Sequence, residues 1–498
     1  MSEHEKFVVK PAIRRDGTKE GEVVSFEAVI RSETGESMFD PDLFLTTENI
    51  DNVVPKAGAA QKAAKILQDM GFRILHVGIF SISGEAPKDM WESTFSTEVK
   101  IESTLISDAH PELGERTYLS HVADVPFEIP DKLKNLVERA YPQKPPTFFE
   151  SSLPPTVPYH YLDVPGDVSM VLRAGKVNQE GITGKGVLVA MPDTGFYKHK
   201  FYEWRGYNYN ATIAEDAVDV EKDNYGHGTA EAANIFSCAP DIDFVGIKMG
   251  LNALVAFKDA VDLSPAVITC SWGWDIKNAP LPNWLKPMEA AVIHAVKKLG
   301  ITVVFSAGNL GKYGFPAQMP EVISAGGVYA HRDLAGDDFN LEASNYASSF
   351  NSQIYPGRSV PDLCGLVGMK PRGIYIMLPV QPGCSIDMGF AGGAYPNKDE
   401  TQPSDGWAVI SGTSAAAPQI AGVCALLKQV QPSLSPNLVK QILISSARDV
   451  KNGTSAMGHQ AGKGFDSATG AGLVDAFKAY RLARSIMVRP LLTLPQPV

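Results

Sequence analysis

From residue 186 onward, short and nearly continuous apolar runs alternate with segments of helical spacing. GVLVAM (186–191), FVGIKM (244–249), AVITC (266–270) and ITVVFS (301–306) are five or six residues long. Such runs, without polar alternation, predict strands covered on both faces, as in a parallel sheet between helices. Helices are expected over residues 228–236, 253–262, 287–299 and 415–429, where Ala, Val and Leu recur three and four positions apart. This order predicts a doubly wound, mostly parallel α/β domain over residues 159–485, with its site at the strands' carboxyl ends. A C-terminal tail follows over 486–498.

The first third has a different pattern. Residues 56–70 (KAGAAQKAAKILQDM) carry a helical period that stops at Gly71. Residues 72–83 (FRILHVGIFSIS) read as a strand and 85–94 as a second short helix. Further strands are expected over 22–30, 98–105 and 117–123. Together they predict a smaller α+β domain over 1–140, an antiparallel sheet with helices on one face. The Pro-rich stretch 141–158 (YPQKPPTFFESSLPPTVP) is expected to be an extended linker, which sets the domain boundary.

Composition narrows the partners. A net charge of −11 argues against nucleic acid or an anionic membrane surface, neither of which rewards an acidic protein. No run of about eighteen apolar residues is present, so no membrane span is expected. The first residues, MSEHEKFVVKPAIRRDG, carry charges and no apolar stretch of signal-peptide length. The five cysteines (Cys238, Cys270, Cys364, Cys384, Cys424) are scattered and odd in number, which suits reduced, buried thiols and a cytoplasmic location. No CxxC or HExxH pair indicates zinc. The acidic stretch 215–223 lacks EF-hand spacing, so a solvated loop is the favoured reading and structural calcium is possible but not indicated; GITGKG (181–186) precedes a strand rather than a helix, which excludes a phosphate loop.

Four polar residues stand at the ends of the predicted elements. Asp193, in MPDTG, follows the run 186–191. His227, in NYGHGT, has small neighbours and a helix after it. Ser414, in SGTSAAAP, opens an Ala-rich helix, where unpaired backbone N–H groups favour a developing oxyanion. Asn309, in FSAGNLG, ends another apolar run. A nucleophile, a base, an orienting carboxylate and an amide donor are thus placed where one sheet can gather them. His199 is a weaker candidate base. Each residue alone also has a plainer reading, as a helix cap, a turn or a surface loop.

The segments VLVAMPDTG, NYGHGT, SAGN and SGTSAAAP resemble, in order, the signature blocks of the subtilisin-like serine proteases (peptidase S8). TCSWGW (269–274) resembles the family's substrate-lining strand, PAQMPEVISAGGV (316–328) the segment after the oxyanion asparagine, and GFDSATGAGLVDAFKA its C-terminal helix region. The likeness implies a triad of Asp193, His227 and Ser414, with an oxyanion hole of the Asn309 side chain and the Ser414 N–H. It also implies substrate contacts from Ser271, Trp272, Gly273, Trp274, Ala307 and Gly308. Trp272 and Trp274 stand where the family has small residues and are expected to narrow or cap the pocket for the substrate side chain. The implied activity is endopeptidase cleavage of protein or peptide substrates, with no cofactor needed for catalysis. The alternatives are a catalytically inactive peptide-binding relative and the carboxylate-dependent sedolisin-like branch, against which GHGT argues. Family members often carry an N-terminal propeptide, and the first domain resembles one, which implies binding to the cleft in cis until the linker is cut. A permanent accessory domain is the other reading. Residues 369–407 resemble an insertion, either a lid or a surface elaboration.

Overall fold

The computed structural model describes residues 23–107, 111, 114–123, 125–148, 161–331, 340–371, 375–393 and 398–487. The first part is built from β1 (Val23–Ile30), α1 (Ala59–Asp69), β2 (Arg73–Val77), β3 (Ser81–Pro87), α2 (Lys88–Phe95), β4 (Val99–Leu105), β5 (Glu115–His121), β6 (Val137–Pro142) and β7 (Thr147–Phe148). An antiparallel sheet in the order β2-β3-β1-β6 carries most of it, and β4 pairs with β5. Along β1 the two-residue repeat sends Val24, Phe26, Ala28 and Ile30 into a core with Ala63 and Leu67 of α1 and Trp91 and Phe95 of α2. Val29 faces the other way and joins the core of the large domain. Glu27 shares that second face.

Two expectations change here. Residues 72–83 form a hairpin rather than one strand, because the chain turns at Gly78, whose N–H donates to the Ser81 carbonyl at 2.9 Å. Part of the expected linker is also ordered sheet: β6 holds Tyr141 and Pro142, and β7 holds Thr147 and Phe148. Pro142 is tolerated as the last residue of an edge strand. Residues 149–158 of that stretch lie outside the described residues, as does the tail beyond 487.

The large domain continues with β8 (Leu162–Asp163), α3 (Gly166–Val171), α4 (Ala174–Asn178), β9 (Leu188–Asp193), α5 (Lys200–Trp204), β10 (Tyr209–Ile213), α6 (His227–Cys238), β11 (Asp243–Lys248), α7 (Ala253–Asp262), β12 (Val267–Cys270), β13 (Trp272–Asp275), α8 (Lys286–Lys297) and β14 (Thr302–Ser306). After these come β15 (Gly314–Phe315), β16 (Ile323–Ala330), β17 (Leu341–Ala343), β18 (Phe350–Asn351), β19 (Ser359–Val360), β20 (Leu363–Leu366), β21 (Ile376–Pro379), α9 (Ser385–Phe390), β22 (Trp407–Ile410), α10 (Thr413–Val430), α11 (Pro436–Ser446), β23 (Asn452–Gly453) and α12 (Ala476–Met487). Among the described residues the central sheet has nine strands. The run β10-β11-β9-β12-β14-β16 is parallel throughout, β20 joins β16 in parallel, and β17 joins it antiparallel. The four apolar runs are its buried inner strands β9, β11, β12 and β14, each within two residues of its expected bounds. This is the mixed α/β architecture expected from the apolar pattern, preceded by the smaller α+β unit.

Candidate active site

Asp193 is the last residue of β9 and is fully buried. Its Oδ1 accepts from its neighbour's N–H (Thr194) at 2.7 Å and meets His227 Nδ1 at 2.8 Å. A carboxylate on Nδ1 places the ring proton there and leaves Nε2 as the basic side of the imidazole.

The histidine is positioned by its helix. His227 opens α6, and Asp223 caps that helix from the preceding loop. Asp223 Oδ2 accepts from the Thr229 N–H at 2.9 Å and its hydroxyl at 2.7 Å, while Oδ1 accepts from the Gly226 N–H at 2.9 Å and the Thr194 hydroxyl at 2.9 Å. Burial pushes the Asp223 carboxyl up, and these bonds pull the other way. Thr194 closes the loop by accepting from the Gly228 N–H at 3.0 Å. The glycines around His227 have steric reasons. A Cβ on Gly228 would lie 2.3 Å from the Gly195 carbonyl, and Gly226 has φ +100° with Cys384 Sγ 2.5 Å from where its Cβ would be. One turn further along α6, Glu231 brings Oε1 to 3.9 Å from His227 Nε2.

Ser414 is the second residue of α10. Its Oγ donates to the Ser271 carbonyl at 3.3 Å, and Ser271 Oγ donates to the Ser414 carbonyl at 2.7 Å, which ties the helix start to the end of β12. Asn309 follows β14, and its Oδ1 accepts from the Thr413 N–H at 3.1 Å. That bond fixes the amide's orientation and makes Nδ2 its donor. Gly308 donates to the Thr413 hydroxyl at 3.2 Å, so residues 307–309 and the start of α10 form one wall. Asp193, His227 and Ser414 are each no more than 1% exposed, so the site is covered in this conformation.

Beside this wall runs β13, and a segment is already paired with it. Trp272 pairs with Phe148 and Gly273 with Thr147, antiparallel. The Trp272 indole turns into the core, and the Trp274 indole donates Nε1–H to the Lys144 carbonyl at 3.4 Å, just ahead of the paired segment. Trp272 is fully buried, packs edge-on against Phe305 and donates Nε1–H to the Pro192 carbonyl at 2.7 Å. Trp274 packs between Trp284 and Phe315. Trp272 thus fills the core behind the strand, while the main chain of β13 pairs with the 147–148 segment.

Other candidates have different places. His199 caps α5, its Nδ1 accepting from the Phe201 N–H at 3.1 Å, and burial pushes it down to about 4. In the acidic stretch, Glu215 pairs with Arg73 at 2.9 Å, Asp216 accepts from the Asn252 N–H at 2.9 Å, and Asp223 caps α6. Among the described residues no three His, Cys, Asp or Glu side chains converge as metal ligands, and all five cysteines are buried free thiols. The 369–407 segment packs against the histidine loop: Ser385 and Ile386 donate to the Asn224 and Tyr225 carbonyls at 2.9 and 3.1 Å, and Gln381 Oε1 accepts from the Asp223 N–H at 2.7 Å. Asp223 and Glu231 were not among the expected site residues. Asp223 did leave a signal, a carboxylate three residues before the glycine that precedes a helix.

Comparison with known proteins places the chain among serine proteases at modest identity. The serine protease AprX of Bacillus subtilis (strain 168) is 27% identical over 312 residues, covering 56% of this chain and 63% of that protein. Alkaline elastase YaB of Bacillus sp. (strain YaB) is 27% identical over 308 residues, covering 58% and 67%. Subtilisin BL of Lederbergia lenta is 26% identical over 330 residues, covering 64% and 99%. The chain thus spans less than two thirds of AprX. The profile of the Subtilase family matches residues 184–472, more than half of the sequence and all four candidate residues, and the chain belongs to that family.

Proposed function

We propose that this protein is a serine endopeptidase acting on protein or peptide substrates through an acyl-enzyme at Ser414. The observation that carries the reading is the buried 2.8 Å contact between Asp193 and His227 at the carboxyl edge of the parallel sheet, beside the start of α10. As Ser414 Oγ attacks a carbonyl carbon, His227 Nε2 takes its proton, and Asp193 stabilises the resulting imidazolium. The tetrahedral oxyanion accepts from Asn309 Nδ2 and the Ser414 N–H. His227 then protonates the leaving amine, and water releases the acyl group by the same route. Side chains, main chain and water complete every step.

The first domain acts, in this reading, as a cis inhibitor. What supports it is the pairing of Thr147–Phe148 on β13, where a substrate strand would lie, together with a serine only 1% exposed. Cleavage on the C-terminal side of Phe148 frees the segment's far end and begins release. Five buried, unpaired thiols suit a cytoplasmic setting. A serine-reactive fluorophosphonate tests the core of the proposal. Labelling of the wild type and none of Ser414→Ala is expected; an unlabelled wild type, after a cut in residues 149–160 is verified by intact mass, refutes it.

A further inference from the structure

His227 has a carboxylate at each ring nitrogen. Asp193 holds Nδ1, and Glu231 Oε1 lies 3.9 Å from Nε2, the two side chains of this second pair being 1% and 3% exposed. Glu231 and His227 are four residues apart on α6 and share a helix face. The carboxylate is also anchored. Its Oε2 accepts from Asn234 Nδ2 at 2.9 Å, Asn234 Oδ1 accepts from Gln419 Nε2 at 3.0 Å, and Gln419 Oε1 accepts from the Leu366 N–H at 2.7 Å. The relay ends on α10, the helix that carries Ser414, and on β20. A carboxylate kept this deep needs a compensating partner, and the imidazolium is the nearby cation that supplies one.

We propose that Glu231 is a positioning residue that holds the His227 imidazolium between two carboxylates, so that Nε2–H points to Glu231 in the resting acid form and to the leaving group during reaction. This rests on the reading of His227 as general base. Against the ring stand Asp193 from β9 at Nδ1, Tyr225 from the loop before α6 with ring centroids 6.2 Å apart, and Glu231 from α6 itself; Asp223, from the same loop, lies three residues before the glycine that precedes the helix. Asp223 is committed to the helix cap, so Glu231 is the acidic group on the Nε2 side. Two consequences follow. The acid form persists to higher pH than Asp193 alone would hold it, and the imidazolium formed during attack is better stabilised.

The test is Glu231→Gln in the full chain, which keeps an oxygen for Asn234 and removes the charge. The acidic limb of the rate of fluorophosphonate labelling is expected to move down by about one pH unit, with a lower plateau. Local damage alone lowers the plateau without moving the limb. Superimposable limbs overturn the proposal. The His227 Nδ1–H proton resonance gives a readout independent of activity, and its midpoint should fall by the same amount. If the wild type never labels even after a verified cut in residues 149–160 but that midpoint shifts, the protease reading fails and the role of Glu231 stands; an unmoved midpoint overturns it. Glu231→Met serves if the Gln variant does not fold.

Discussion

Replacing Lys258 by Met should loosen the contact between the two domains more than any exposed substitution would. Lys258 stands on α7, on the face that the sheet of the first domain covers. Its Nζ donates to Glu27 Oε2 at 2.9 Å, to Ser83 Oγ at 2.7 Å and to Ser81 Oγ at 3.1 Å. Glu27 is fully buried, and its other oxygen accepts from Asn252 at 3.1 Å. Removing the cation leaves Glu27 with neutral partners only, and breaking a buried pair in this way costs about 3–5 kcal/mol. For a unit of this size that lowers the first thermal transition by on the order of 10 °C. Calorimetry of the full chain measures it. The double variant Glu27→Met/Lys258→Met removes both charges and should be less destabilised than Lys258→Met alone, a coupling of about 2 kcal/mol or more. The reasoning is refuted if Lys258→Met costs no more than about 0.5 kcal/mol, the range of ordinary surface changes, or if the double variant equals the sum of the singles.

Three further outcomes are expected. Asn309→Ala should lower kcat by about 10²–10³ with little change in KM, measured against active-site titre, since the lost donor acts on the oxyanion; an equal rise in KM would contradict this. Burial, and then the neighbouring carboxylates of Asp216 and Asp262, raise Asp259 from 3.8 to about 7. Below about pH 4 both states hold this proton, and between about 4 and 7 only the folded state does, so its contribution to stability is lost as pH rises through that window. Asp259→Asn should therefore gain Tm relative to wild type between pH 4 and 8, and a constant difference would refute the assignment. Gly226→Ala puts a methyl against Cys384 at a left-handed φ and should cost about 1–3 kcal/mol, with Cys384→Ala recovering only the steric part.

The legible parts of this protein are those whose signals are local. Asp193, Asn309 and Ser414 each mark the end of an apolar run or the start of a helix, so their placement follows from element boundaries. The parallel sheet follows from uninterrupted apolar runs for the same reason. Glu27 and Lys258 are 231 positions apart, and only the two-residue repeat of β1 hints that Glu27 faces away from its own core. The hairpin at Gly78 was hidden because its two arms read as one apolar stretch. Trp272 and Trp274 show the limit of placing a strand without its facing. Where a strand lies can be read, yet which neighbour takes each indole depends on Phe305, Phe315 and Trp284, which come from other segments.

The two-residue ladder between β7 and β13 is too short to hold by itself, since each such bond contributes about 0.5–1.5 kcal/mol net. It is tethered through residues 143–146 to a domain that sits on α7 by a buried charge pair, so it is presented at an effective concentration that free peptide cannot match. In the proposed release, cutting beyond Phe148 leaves that tether intact. Occupancy of β13 then falls only when the whole domain departs, and the weak ladder and the buried contact let go together as one cooperative event.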